Sequence, residues 1–405
     1  MTDALGALTY TGRIEGSLFL IAAILEIITA AVVFDHWGKR RLPYSGIITL
    51  VGVFVSLLVS SLLLSVQIYG GEYTHYLWLW IGLFIWSAWA LMRLEPNHIL
   101  KRITHPKSFA AGAVVSALLV ASNFAYTQVY LPYASPVQAR VVAKLGTPCL
   151  NNKHTILYLP VELHYQNSGK VGFTILGSQY SVYGRTAQFN ERPNGLQEWK
   201  NDMVREPMSD LYRHTGVQGR DLISAGEFFR AGRSLDPDQE FVERKVVELS
   251  AGAKYDSIEV TASATAIRED RGDLDADYYI PNYSWDTASV DGKHLHDAPL
   301  WVAQPGDEYI SHHARIHYDS EVLNITRKPR YVTYWWVIPK KFSGANPEND
   351  LTAPHGEVTI SELHQEVREP SNSDYDELYN RYGLQDTYSP WLRESLPALL
   401  KAAGA

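Results

Sequence analysis

FAAGAVVSALLVASNFAYTQVYL, residues Phe109 to Leu131, is the stretch on which the reading of this chain turns. It is the last of four long apolar runs. Before it the sequence has the composition of a bilayer segment, and after it that of water-soluble β-structure. Pro132 and Pro136 follow, and neither can continue a helix, because the ring removes a donor and blocks the preceding turn. The direction in which this run crosses a membrane therefore sets the compartment of everything downstream.

Working outward from it, the other runs are Ser17–Phe34, Ser45–Tyr69 and Tyr76–Met92. The first is long enough, with little to spare, to cross about 30 Å of hydrocarbon as a helix. It lacks a basic leader and a small-x-small cleavage site, so it reads as a retained helix and not a removed signal. The third is short, but Trp78, Trp80, Trp86 and Trp89 fit aromatic belts at the two interfaces. Basic residues fall seven to one on one side. Lys39, Arg40 and Arg41 follow the first run, and Arg93, Lys101, Arg102 and Lys107 follow the third. The N-terminal tail carries Arg13 alone, and the loop Gly70–His75 carries none. By the positive-inside rule the N-terminus and the domain after Leu131 lie outside the cytoplasm of a multi-pass cell-membrane protein.

The mean hydropathy of -0.15 averages these two unlike parts. A net charge of -8 over 405 residues argues against a nucleic-acid surface. Cys149 is the one cysteine, so no intrachain disulfide can form. An exported domain without disulfides points to a bacterial envelope.

Inside the first run, Glu26 is an ionisable group at mid-membrane depth, which is costly and marks a functional candidate. Ala22, Ala23 and Ala30 share its helix face and suit close packing. Ser56 and Ser60 form a small-xxx-small pair on the second run and are expected partners. Asn123 on the fourth run and Gln67 on the second lie towards the outer leaflet.

From Val137 onward, apolar residues alternate with the period of strands. Leu157, Leu159, Val161, Leu163 and Tyr165 line one face. Asn167-Ser168-Gly169 offers a turn, and Val171–Tyr183 reads as the returning strand of a hairpin. Ile258, Val260, Ala262, Ala264 and Ala266 form another alternating face. Ile310–Tyr318 and Tyr331–Ile338 are further strands, the second apolar on both faces and so central. Leu222–Arg230 and Phe241–Leu249 are weaker candidates. The strand–turn–strand stretch from Thr155 resembles immunoglobulin-type envelope domains, which implies an all-β sandwich. A helical insertion is expected near 190–221. Beyond it the tail reads as two helices: Tyr375–Tyr382, capped by Ser373 and stopped by Gly383, and Trp391–Ala403, begun by Ser389-Pro390.

No nucleophile elbow, phosphate loop or dinucleotide fingerprint occurs. The most suggestive chemistry lies between Asp270 and Asp319. Asp273-x-Asp275-x-Asp277 matches the start of a calcium loop. It then departs from it, with Tyr278 where glycine is needed and Ser284 where the bidentate glutamate is needed. His294-x-His296 on a strand would set two imidazoles about 6–7 Å apart on one side, close enough to share zinc. His313 and His317 also share a face, but about 13 Å apart. Trp285, Trp301, His313 and His317 are candidate binding residues, since exposed aromatics suit sugar or protein ligands.

The expected architecture is thus a four-helix transmembrane domain over 1–134 (17–34, 45–69, 76–92, 109–131). An extracytoplasmic, immunoglobulin-like β-sandwich over 135–350 follows, then a helical tail over 351–405. The expected role is display of that sandwich to a protein or envelope component, or support of a membrane complex. The partners are the bilayer and a protein or a second copy, not nucleic acid. One alternative is a calcium- or zinc-dependent enzyme or metal-regulated binder built on Asp273, Asp275, Asp277, His294 and His296. Another is transport or signalling through Glu26.

Overall fold

The structure, a computed structural model, describes residues 10–38, 45–70, 74–94, 119, 123, 138–189, 196–197, 200, 215–285, 298–318, 321–340, 353–362, 369 and 371–404. Three helices in it are long and apolar enough to cross a membrane: α1 (Tyr10–Trp37), α2 (Ser45–Gly70) and α3 (Tyr76–Arg93). Of the fourth run only Leu119 and Asn123 are described, both helical. Helix α2 packs between α1 and α3. Its contact with α1 is close, because a Cβ on Gly52 would lie 2.0 Å from the Thr29 hydroxyl. Gly52, Ser56 and Ser60 thus form a seam of small residues at four-residue spacing, which lets backbones approach where lipid supplies no hydrophobic drive. The alanine face expected on α1 is not the packing face, since Ala23 and Ala30 are exposed while Thr29 and Val32 are buried.

The remainder is a mostly antiparallel β-region of three sheets, none closed. In the first sheet β3 (Ile156–Asn167) is central. One edge pairs with β1 (Ala139–Leu145) and β2 (Cys149–Leu150), the other with β7 (Glu240–Ser250). In the second, β4 (Phe173–Phe189) pairs with β8 (Ser257–Arg268) on one side and with β5 (Thr215–Gly226) and β6 (Ser234–Leu235) on the other. In the third, β11 (Glu308–His317) lies between β12 (Arg330–Ile338) and the short β9 (Asp273–Leu274) and β10 (Asn282–Tyr283). Strand β13 (His355–Ser361) follows β12, which is therefore paired on both edges.

The alternating faces read from the sequence become the main core. Leu157, Leu159, Val161, Leu163 and Tyr165 of β3 meet Ile258, Val260, Ala262, Ala264 and Ala266 of β8 across the first and second sheets. Each large apolar side chain removed from water there contributes about 1.5–3 kcal/mol. A second core forms on the opposite face of the second sheet. Leu176 of β4 and Ile267 of β8 pack with Ala314, Ile316, Val332 and Tyr334 of the third sheet. The second sheet is therefore a middle layer, and one two-sheet sandwich does not describe the region. The approach is closest at Gly177, where a Cβ would lie 2.1 Å from the Tyr334 ring.

Three sequence expectations are corrected. Strands β3 and β4 are not a hairpin but belong to different sheets. The turn between them is a corner, held by the buried Asn167 amide donating to the carbonyls of Val171 (2.9 Å) and Leu235 (3.0 Å). The stretch Thr215–Asp221, placed in the helical insertion, lies in β5, while Leu196, Gln197 and Lys200 are helical. The tail is not simply helical. Besides β13 it supplies β14 (Gln385–Tyr388) and β15 (Leu392–Ser395), which pair along the free edge of β8. Its helices are α5 (Asn372–Tyr382), capped by Ser371 and not Ser373, and α6 (Leu396–Ala402), capped by Ser395. Gly383 ends α5 at φ 60°, a conformation glycine adopts without strain.

Among the described residues the membrane-length helices pack on the β-region through a short helix, α4 (Glu321–Thr326), between β11 and β12, which contacts both α2 and α3.

Candidate functional site

In the bundle, one polar chain links all three helices. The Ser87 hydroxyl of α3 lies 3.2 Å from that of Ser56 on α2, and Ser56 hydrogen-bonds the Glu26 carboxyl of α1. Ser60 does not join it, because its hydroxyl donates to the Ser56 carbonyl of its own helix at 2.6 Å. Ser87 is a participant that the sequence reading missed. It is the one small polar residue in a run of large apolar and aromatic side chains, and only the α2–α3 packing brings it to Ser56. Asn123 is described only as a helical residue.

At the end of the bundle that meets the β-region, Gln67 is fully buried. Its side-chain amide donates to the Thr74 hydroxyl at 2.6 Å and to the Thr326 carbonyl of α4 at 3.0 Å. One side chain thereby ties α2, the α2–α3 turn and the β-region together.

The acidic and histidine stretch does not assemble a metal site in the described part of the structure. His294 and His296 lie outside the described residues. Asp275 is engaged by His317, whose Nε2 donates at 2.6 Å, and by the Arg315 amide at 3.1 Å. Burial pushes the Asp275 carboxyl up, but His317 and the Arg315 amide outweigh it and hold it below the usual carboxylate range. Asp273 accepts from the Leu274 amide, and Asp277 lies in the turn before Tyr278. Among the described residues no three His, Cys, Asp or Glu side chains are grouped to hold a metal ion. His313 bonds Thr333 at 2.8 Å and stacks on Tyr331. His312 faces inward and donates from Nδ1 to the Tyr278 carbonyl at 3.0 Å.

The two candidate tryptophans separate. Trp301 packs against the small core around Val302, Trp335 and Val337. Trp285 is 49 % exposed and leans on Tyr283 at 5.1 Å. With Tyr279 and Ile280, also exposed, these two form an aromatic rim along the β9–β10 edge of the third sheet. Tyr283 pairs with Ile310, towards the opposite end of β11 from α4 and roughly 25 Å along the strand.

The densest charge cluster was not legible in advance. Glu259 of β8 is wholly buried on the side of the second sheet away from the main core. Arg185 of β4 reaches it at 2.8 Å, Arg220 of β5 at 3.2 Å and Arg393 of β15 at 2.6 Å. Burial pushes its carboxyl up, but Arg393, Arg185 and Arg220 outweigh that and hold it below the usual carboxylate range. Arg220 also lies 3.6 Å over the Tyr183 ring. Four strands are thus pinned by one carboxylate.

No family model matches the chain, and no curated protein matches it. Among solved structures it is similar to a sporulation control protein, Spo0M, from Bacillus subtilis. The identity is 9 %, covering 66 % of this chain and 95 % of that one, with a TM-score of 0.20. It is also similar to a Bordetella pertussis protein described as ApaA, at 10 % identity over 33 % of this chain and 82 % of that one, with a TM-score of 0.19. Likeness at this level neither fixes a fold nor names a function.

Proposed function

We propose that this chain is a multi-pass protein of a bacterial cell membrane that displays its β-region outside the cytoplasm to a protein or envelope component. In this reading the first two sheets are the immunoglobulin-like sandwich, and the third sheet carries the binding rim. The observation that carries it is the Gln67 joint. Through it the β-region sits at the end of α2 remote from Lys39–Arg41, and the positive-inside rule assigns that basic loop to the cytoplasm. Connectivity supports a fourth crossing at Phe109–Leu131. Helix α3 begins just after Thr74, which Gln67 ties to the β-region, and runs away from it to Arg93, yet the chain is back in the β-region by Ala139. A domain held at a fixed joint, with exposed Tyr279, Tyr283 and Trp285 on one edge, suits recognition by aromatic anchors.

The test uses the chain's single cysteine position. In a Cys149→Ser background, Tyr283→Cys and Tyr158→Cys (the latter on the outer face of the first sheet) are exposed to a membrane-impermeant, thiol-reactive photo-crosslinker on intact cells. Both should label, and irradiation should give a discrete higher-mass adduct from position 283 alone. No labelling of either would sink the orientation. Labelling with equal adducts from both positions, or with none, would sink the binding edge.

A second reading is favoured by the Ser87–Ser56–Glu26 chain, which has the form of a protonatable carboxyl held at a helix interface. In it the bundle handles a proton or transmits a signal by rearranging about Glu26. Glu26→Gln keeps the hydrogen bond and removes titration, whereas Glu26→Leu removes both. Full activity in the membrane with Gln and loss of assembly with Leu would reduce Glu26 to a packing role.

A further inference from the structure

We propose that Arg327, beside the joint between bundle and β-region, binds the phosphate of an anionic phospholipid headgroup. The inference rests on α2 and α3 crossing a bilayer, but on neither the orientation nor the partner proposed above.

Depth comes first. Gln67 lies in the last turn of α2 and bonds the Thr326 carbonyl. Beside it the membrane helices expose the residues of an interfacial belt: Ile68 at 63 %, Tyr76 at 49 % and Trp78 at 75 %. Tyrosine and tryptophan settle at the headgroup level, because each has an apolar body and a polar edge. Thr326 is therefore at that level. Arg327 and Lys328 follow within two residues, which limits their Cα atoms to about 7–8 Å from Thr326. Ile325, on the last turn of α4, is 44 % exposed on the same short segment and offers an apolar foothold.

Charge comes second. Thr326-Arg327-Lys328-Pro329-Arg330 places three cations within four residues. Glu362 receives Lys328 at 3.2 Å and Arg330 at 3.5 Å. Arg327 is held differently. Its guanidinium lies 5.0 Å over the ring of the buried Tyr318, its Nε is buried without a hydrogen-bond partner, and no carboxylate pairs with it among the described residues. Tyr318 is itself fixed, with its amide donating to Asn324 at 2.8 Å and its hydroxyl 3.3 Å from that of Tyr382. A guanidinium stacked on a fixed ring is oriented in advance, and its fork of donors matches two phosphate oxygens. In the headgroup layer the abundant anion of that geometry is lipid phosphate.

The full chain in nanodiscs tests this by hydrogen–deuterium exchange of the segment Glu321–Arg330. Replacing part of the phosphatidylcholine by phosphatidylglycerol should slow exchange there, by about fivefold for each engaged charge, and leave β8 unchanged. Arg327→Gln should abolish the difference, and high salt should screen it in the unsubstituted chain, which guards against misfolding of the variant. Inorganic phosphate added to phosphatidylcholine discs should not reproduce it. Equal exchange in the two lipids would overturn the proposal. So would full protection by free phosphate, which would assign the site to a soluble anion.

Discussion

Glu259 sits between two core residues, Ile258 and Val260. The strand period puts its side chain on the opposite face, and an alternating strand is ordinarily solvated there. Sequence alone therefore reads Glu259 as a surface residue, yet it is wholly buried. An isolated buried carboxylate costs several kcal/mol. Arg185, Arg220 and Arg393 offset that cost from three strands far apart in the chain, so no spacing announces them. Glu259→Ala should destabilise the β-region by about 3–5 kcal/mol, because it leaves three half-buried guanidinium groups converging without their anion. The pH dependence has a definite sign. The folded carboxyl titrates below its ordinary value. Its contribution is thus complete above the unfolded glutamate value of about 4.3 and is lost as pH falls through the lower folded value. Thermal unfolding of the unsubstituted chain and of Glu259→Gln, followed below pH 5, should show a steeper acid loss for the former. Parallel curves would mean that another group carries the acid dependence. At the same scale, Glu26 was legible because one carboxyl in an apolar run is conspicuous, while Ser87 was not, because its role exists only through packing.

Elements were legible where a long pattern and one burial environment agreed. The three membrane-length helices and the alternating strands β3 and β8 are of this kind. Pairing partners were not legible, because a turn signal says that the chain reverses but not which sheet receives it. Asn167-Ser168-Gly169 is such a case. Its side-chain and backbone bonds build a corner between sheets where a hairpin was expected. A cue did exist in β4, where Ile175 belongs to one core and Leu176 to the other. A strand apolar on both faces needs a layer on each side. Gly177 carries the same message, since a missing Cβ within a strand marks close approach of another element, here the Tyr334 ring. The tail failed for a different reason. Leu392, Leu396, Leu399 and Leu400 fit the helical period, but a run this short cannot separate a strand followed by a helix from one longer helix. Leu392–Ser395 is drawn into β15 by the free edge of β8, and Ser395 then caps α6.

At the scale of the molecule, the end of the chain completes its middle. Strand β8 would otherwise present an unpaired edge beside the main core, and the segment that covers it comes from more than a hundred residues downstream. Ser389 exchanges bonds with Ala262, its amide donating at 2.7 Å and its hydroxyl accepting at 2.9 Å. Leu396 and Leu399 of α6 enter the main core, and Arg393 reaches Glu259. Deleting everything after Leu384 removes two buried leucines, each worth about 2–5 kcal/mol, together with one of the three arginines on a buried carboxylate. Set against a typical domain stability of about 5–15 kcal/mol, that loss leaves little or none. The truncated chain should therefore still insert α1–α3, whose helices satisfy their own backbone in lipid, while its β-region becomes sensitive to protease throughout the first and second sheets. Protease mapping of membranes bearing the two chains reads this directly. If the truncated β-region stays as resistant as the intact one, the C-terminal strands are a covering and not a part of the core. Sensitivity spreading from β8 into β3 and β4 would instead mean that the β-region folds as one cooperative body around the second sheet, with the Gln67 joint as its attachment to the membrane.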